Sequence, residues 1–143
     1  MRKTTLALAA ASSLLALPSV GAAEGFLAGR LEKLPDLVIG LGDGGYEFSQ
    51  DKYELTTGKG YRIWLKATGK KECAFVAPDF FQHVWFRKIE VNKVEIKASA
   101  FHEIEFEREG EAELFFTPIK PGEYTWACKG LEDKGLTGKI TVK

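Results

Sequence analysis

Most of the chain beyond residue 60 is a succession of short segments in which apolar and polar residues alternate. In residues 93–99, for example, Val94 and Ile96 alternate with Glu95 and Lys97, which is the two-residue period of a strand with one buried face. Glycine and proline turns separate the segments, and short strands at this spacing predict an antiparallel β-sandwich. The candidate strands are residues 61–67, 93–99, 101–109, 112–119, 122–128 and 136–143.

One stretch interrupts this alternation. Residues 77–90 read APDFFQHVWFRKIE, in which Phe81, Val84 and Trp85 share a face at helical spacing after Pro78, and this predicts about two helical turns or an irregular excursion between strands. The predicted fold class is therefore all-β, a Greek-key antiparallel β-sandwich with one short helical excursion.

The first 23 residues have the pattern of a signal peptide. Arg2 and Lys3 precede a short apolar run, Pro18 interrupts that run, and Gly21, Ala22 and Ala23 suit cleavage. We therefore expect a signal peptide over residues 1–23 and one domain over residues 24–143, with no membrane span after cleavage. This indicates export to an oxidising compartment, most simply a bacterial periplasm.

The charge balance of the remaining domain excludes some classes of partner. Without Arg2 and Lys3, 18 basic residues stand against 20 acidic ones, a net charge of −2. No basic block provides an electrostatic surface for nucleic acid or anionic lipid, so we expect a periplasmic protein as the partner. The sequence also lacks a recognisable catalytic constellation, and we expect a protein that is not an enzyme.

Two regions resemble the cupredoxins, the blue-copper family. They are ECAFVAP at residues 72–78, which runs into the aromatic pair Phe80 and Phe81, and PGEYTWACKGLEDKGLTGKITV at residues 121–142. The resemblance implies that Tyr124, Trp126 and Cys128 point into the sandwich. It also places Cys73 where the family has its first histidine ligand.

The same register removes the standard copper ligands. The second histidine position falls on Leu131 and the axial methionine position on Leu136. A type 1 copper site needs two imidazoles and a thiolate in one plane, so the resemblance implies a degenerate type 1 site. His83 and His102 stand beside neither cysteine in the sequence, and we interpret both as ordinary structural or surface residues. Asp133 is a hard ligand that suits copper poorly beside soft thiolates.

The resemblance brings Cys73 and Cys128 to one place and leaves two alternatives. The pair forms a disulfide, which is the usual state in an oxidising compartment, or it stays reduced and binds Cu(I) or Zn(II) as a thiolate pair. The first alternative predicts a disulfide-stapled binding module without a cofactor. The second predicts a copper-binding or electron-transfer protein.

The aromatic excursion provides a candidate contact surface. Four large apolar side chains stand close together in it, namely Phe80, Phe81, Trp85 and Phe86. We interpret the excursion as a cap on the sandwich, with an exposed apolar docking patch formed by these side chains as the alternative.

Overall fold

A computed structural model describes residue 27 and residues 29–143 of the chain. The predicted signal peptide, residues 1–23, lies outside the described residues. Within the described part, no helix is long and apolar enough to cross a membrane.

Twelve strands form two packed sheets in the described residues, which confirms the predicted all-β sandwich. The strands are β1 (Glu32–Lys33), β2 (Leu37–Leu41), β3 (Glu47–Phe48), β4 (Lys52–Leu55), β5 (Tyr61–Ala67), β6 (Cys73–Val76), β7 (Val84–Val91), β8 (Val94–Ile96), β9 (Glu103–Phe106), β10 (Gly110–Pro118), β11 (Gly122–Cys128) and β12 (Thr137–Val142). One α-helical turn, α1 (Pro78–Phe81), lies between β6 and β7, and a 3-10 turn (Glu132–Lys134) lies between β11 and β12.

The larger sheet has seven strands in the described chain, in the order β3-β2-β5-β10-β7-β8, with β1 also pairing with β5. The smaller sheet has the order β4-β12-β11-β6-β9. The β1–β5, β2–β5 and β4–β12 pairs are parallel, so both sheets are mixed. The alternating pattern shows which face of a strand is buried, but it does not show the direction of the neighbouring strand.

The core between the sheets follows the predicted alternation. Tyr124, Trp126 and Cys128 of β11 are buried, as are Ile140 and Val142 of β12. The inward positions of β11 are the ones that the resemblance implied. In contrast, Val94 and Ile96 of β8 are exposed, although their alternation predicted a buried face. The β7–β8 hairpin has no strand beyond β8 to cover it in the described residues.

The helical excursion is shorter than predicted. The helix ends at Phe81, and residues 84–91 form β7, which pairs with β10 through Val84–Pro118 and Phe86–Phe116. Val84 and Phe86 are buried while Trp85 is 39% exposed, which is strand alternation and not a helical face. The hydrogen-bonded ladder with β10 decides this, since the local spacing of apolar residues fits both structures.

Candidate functional site

The two cysteines meet inside the smaller sheet. Cys73 is the first residue of β6 and Cys128 is the last residue of β11, and these strands are antiparallel neighbours with Cys128 opposite Phe75. A disulfide joins them, with the two Cα atoms 5.0 Å apart. Cys73 is 1% exposed and Cys128 is fully buried. The bond therefore belongs to the interior of the sandwich and is closed to solvent.

The loop after Cys128 is held by backbone hydrogen bonds at both ends. The N–H of Lys129 donates to the carbonyl of Ala74 on β6 at 3.0 Å, and the N–H of Cys128 donates to the carbonyl of Leu136 at 3.0 Å. The N–H of Leu131 donates back to the carbonyl of Cys128 at 2.9 Å. Gly135 closes the 3-10 turn with φ of 104°, a left-handed conformation that favours glycine.

This loop places the two leucines beside the cysteine pair. Leu136 is fully buried, and the half-buried Leu131 packs against the core. The structure thus brings together the residues at all four ligand positions that the resemblance implied, which are Cys73, Cys128, Leu131 and Leu136.

The donor atoms at these positions do not fit a type 1 copper ion. Both sulfurs are bonded to each other, and the two leucine side chains carry no donor atom, so no imidazole or thiolate is presented. Among the described residues, no three histidine, cysteine, aspartate or glutamate side chains are grouped so as to hold a metal ion.

The two histidines lie away from the disulfide. The Nδ1 atom of His83 is 2.7 Å from the carbonyl oxygen of Asp79, and its ring is 5.8 Å from the ring of Tyr124. Tyr124 precedes Cys128 by four residues on β11, which is roughly 13 Å along a strand. His102 is exposed just before β9. Neither histidine therefore lies beside the disulfide.

The docking patch, which was the alternative to a cap on the sandwich, is wrong for three of its four residues. Phe80, Phe81 and Phe86 are buried, at 4%, 6% and 6% exposure, and only Trp85 is exposed. The ring of Phe80 packs edge-to-face on the rings of Phe116 and Tyr124, at 5.6 and 5.5 Å. Helix α1 turns Phe80 and Phe81 toward both sheets, and strand alternation in β7 points Phe86 inward. The three side chains therefore form part of the core and are not available to a partner.

Trp126 supports the site from within the core, through a contact that the sequence does not reveal. It lies two residues before Cys128, is 1% exposed, and contacts the rings of Tyr53 and Phe48 at 5.3 and 6.3 Å. Gly138 of β12 lies directly against its indole ring. The only signal in the sequence is a glycine inside a strand, where a close approach of another group is one common reason.

A row of carboxylates borders Cys73 on the outside of the sheet. Glu72 precedes Cys73, and Glu105 of β9 stands opposite Ala74. A hydrogen bond with Glu72 raises the pKa of Glu105, with smaller contributions from burial and from the charges of Glu103 and Glu107. This exposed edge is negative while the interior beneath it is apolar.

The comparisons with known proteins concern the fold. No protein-family model matches the sequence, and no curated protein is similar enough to match it. Among solved structures, a laccase from Pediococcus acidilactici superposes with a TM-score of 0.60 at 13% identity, over 98% of this chain and 32% of the laccase. A multicopper oxidase from Campylobacter jejuni superposes with a TM-score of 0.56 at 14% identity, over 81% of this chain and 31% of the oxidase.

A smaller protein matches over nearly its whole length. Auracyanin B, a cupredoxin, superposes with a TM-score of 0.52 at 12% identity, over 80% of this chain and 91% of auracyanin B. This chain thus spans about a third of the multicopper oxidases that it matches, by the 31% and 32% coverage of those chains. At these identities the likeness shows architecture and not activity. Together with the strand order and the cysteine loop, it shows that the chain has a cupredoxin-like fold.

Proposed function

We propose that this protein is an exported, non-catalytic binding module in which a disulfide closes the end of the domain that holds the metal in blue-copper proteins. Its partner in this proposal is another protein of the periplasm. The single observation that carries the proposal is the buried Cys73–Cys128 disulfide, which joins the two cysteines that the resemblance assigns to copper-ligand positions.

Three features support a binding role over a copper role. The disulfide uses both cysteines of the chain, the residue that the resemblance assigns to the axial position is the apolar Leu136, and the interior around them is apolar. A buried disulfide that closes a long loop stabilises a small domain substantially, whatever the domain binds. The multicopper oxidases and auracyanin B share the architecture, and the copper chemistry in the names of the oxidases belongs to those proteins.

Copper handling through the thiol pair is the competing proposal. It requires two electrons and two protons to convert the disulfide to two thiols before a Cu(I) ion can be bound by both sulfurs. A dithiol reductant would have to reach a bond whose cysteines are 1% and 0% exposed. The loop after Cys128, held by backbone hydrogen bonds at both ends, hinders this access. The two proposals therefore differ in the state of the cysteines in the exported protein.

The test is to express the chain with residues 1–23 intact, isolate the periplasmic fraction, alkylate without reductant and measure the intact mass. We expect a protein in the periplasm that is unalkylated and lighter by two hydrogens than the dithiol form. It should bind no Cu(I) in a competition titration against a chromophoric chelator. The control is the Cys73→Ser/Cys128→Ser variant, which cannot bind through sulfur in either redox state.

Either of two results would contradict the proposal. Alkylation of both cysteines in the fresh periplasmic protein would favour the copper role, particularly if one equivalent of Cu(I) then bound to the native chain and not to the double variant. A protein that stays in the cytoplasm would remove the export on which the redox argument depends.

A further inference from the structure

Strand β8 is a free edge of the larger sheet. It is the last strand in the order, and in the described part of the chain it pairs only with β7. All three of its residues are exposed. Unpaired backbone groups on such an edge are a template for another strand.

The hairpin that contains β8 also presents an apolar face to solvent. Val91, Val94 and Ile96 are 38%, 60% and 42% exposed. Ile96 stands opposite Ile89, and Val94 stands opposite Val91, so all four side chains share one face of the sheet. Ile89 is 2% exposed and belongs to the core. The apolar surface of the hairpin is therefore a continuation of the core that the described residues leave partly exposed.

The charged side chains on the other face of β8 are complementary to those of a second, antiparallel copy of the same strand. Glu95 lies between Ile96 and Val94, and Lys97 follows Ile96. Within one chain, Glu95 contacts the Nζ atoms of Lys88 and Lys97 at 2.7 and 3.5 Å. If two copies of β8 pair in antiparallel fashion about Ile96, Glu95 of each copy stands opposite Lys97 of the other. Opposite charges at facing positions stabilise a strand pair.

We propose that β8 is the interface between two copies of this chain, which joins their larger sheets into one continuous sheet around a two-fold axis. The pairing brings the two Ile96 side chains together and covers the apolar face of each hairpin. Because a two-fold interface uses the same patch on both copies, the self-complementary order of Glu95, Ile96 and Lys97 suits it.

The other edge strands are built differently. On β9, the same pairing about Ile104 would place Glu103 of one copy opposite Glu105 of the other. The two carboxylates would repel each other. On β4, Lys52 and Glu54 are complementary, but Tyr53 and Leu55 are buried already, so pairing would cover little apolar surface. Edge β3 has only two residues. Of the edges in the described chain, β8 alone combines exposed apolar side chains with self-complementary charge.

The test is sedimentation velocity of the purified protein over a range of concentrations, with Glu95→Lys and Lys97→Glu as the variants. We expect the wild-type protein to show a monomer–dimer equilibrium. Each single variant should weaken dimerisation about tenfold or more, because both facing ion pairs become like-charge pairs. An equimolar mixture of the two variants should restore the dimer, since E95K presents lysines and K97E presents glutamates at the facing positions.

Glu54→Lys is the matched control. It makes the same charge change on edge strand β4 and also removes one ion pair, with Lys143 at 2.9 Å, and it should leave dimerisation unchanged. Thermal unfolding checks that every variant is folded. A wild-type protein that is monomeric at all concentrations would overturn the proposal, and so would a mixture of E95K and K97E that fails to regain the dimer.

Discussion

Gly138 and Trp126 lie face to face across β12 and β11, so close that a Cβ atom at position 138 would be 2.2 Å from Cζ2 of the indole ring. The ring is fully enclosed and contacts Tyr53 and Phe48 on its other sides. This contact positions the strand that ends at Cys128, and it explains why β12 contains a glycine.

Gly138→Ala is therefore expected to destabilise the fold by about 2 kcal/mol, since an extra methyl group in a packed interior forces side chains and backbone to shift. Urea denaturation followed by tryptophan fluorescence measures this. Gly110→Ala is the control, because a Cβ atom there would meet nothing closer than 3.8 Å. If both variants unfold at the same urea concentration, the close approach at Gly138 is not a constraint.

Removal of the disulfide is expected to cost about 4 kcal/mol of unfolding free energy, because the bond closes a loop in the unfolded chain. The cysteines are separated by 55 positions. The Cys73→Ala/Cys128→Ala variant and chemically reduced wild-type protein should have similarly lowered urea midpoints. Addition of reductant should leave the midpoint of the variant unchanged. Equal stability of the oxidised and reduced wild-type protein would contradict a stabilising role.

The aromatic residues of the excursion are expected to separate into core and surface. Phe80→Ser should destabilise the domain by about 4 kcal/mol, since it removes a buried ring and leaves a cavity. Trp85→Ser should change stability by less than about 1 kcal/mol, because Trp85 is exposed. Thermal unfolding of the two variants compares them directly. A small effect of Phe80→Ser would show that this ring is a contact surface after all.

The acidic pair beside Cys73 is expected to make stability depend on pH. The pKa of Glu105 is raised above its ordinary value of 4.5 by its hydrogen bond with Glu72. At a pH between the ordinary and the raised pKa, the folded state therefore binds more protons than the unfolded state. The associated stability is fully present below the ordinary pKa and is lost as pH rises through the raised pKa. Glu72→Gln should therefore raise the melting temperature at neutral pH and have little effect below about pH 4.

Glu107→Gln is the control for that variant, because Glu107 contributes to the shifted pKa of Glu105 only through a smaller charge interaction. Its effect should have the same sign and be smaller. Identical melting temperatures of Glu72→Gln and wild-type protein at neutral pH would show that the two carboxyl groups do not interact.

Several parts of the fold can be predicted from residues near one another in the sequence. The limits of β5 and β11 coincide with the predicted segments 61–67 and 122–128, since alternation over seven residues has a single interpretation as a strand. The segment from Val84 onward has two interpretations, because its apolar residues fit both a helical face and a strand face. Only the ladder with β10 selects the strand.

The candidate site, like the fold, can be predicted from the sequence only in part. The absence of ligand atoms at Leu131 and Leu136 can be read from the sequence once the resemblance sets the register. The choice between a disulfide and a thiolate pair cannot be read from the sequence. In the structure the two sulfurs are bonded to each other. The sequence likewise left two interpretations of Phe80, Phe81 and Phe86, a cap on the sandwich or a docking patch, since an aromatic cluster has the same composition in a core as on a contact surface. The structure shows that all three are buried.

By itself, the sequence determined the two-residue alternation and the turns, because each depends on residue types at short spacing. The assignment of Leu131 and Leu136 to copper-ligand positions is what the resemblance implies. Tertiary structure alone decided that Gly138 contacts Trp126, that both sheets contain parallel pairs and that β8 remains an uncovered edge. These features depend on strands that are distant in the sequence and adjacent in space, where the packing of one side chain against another determines which arrangement is stable.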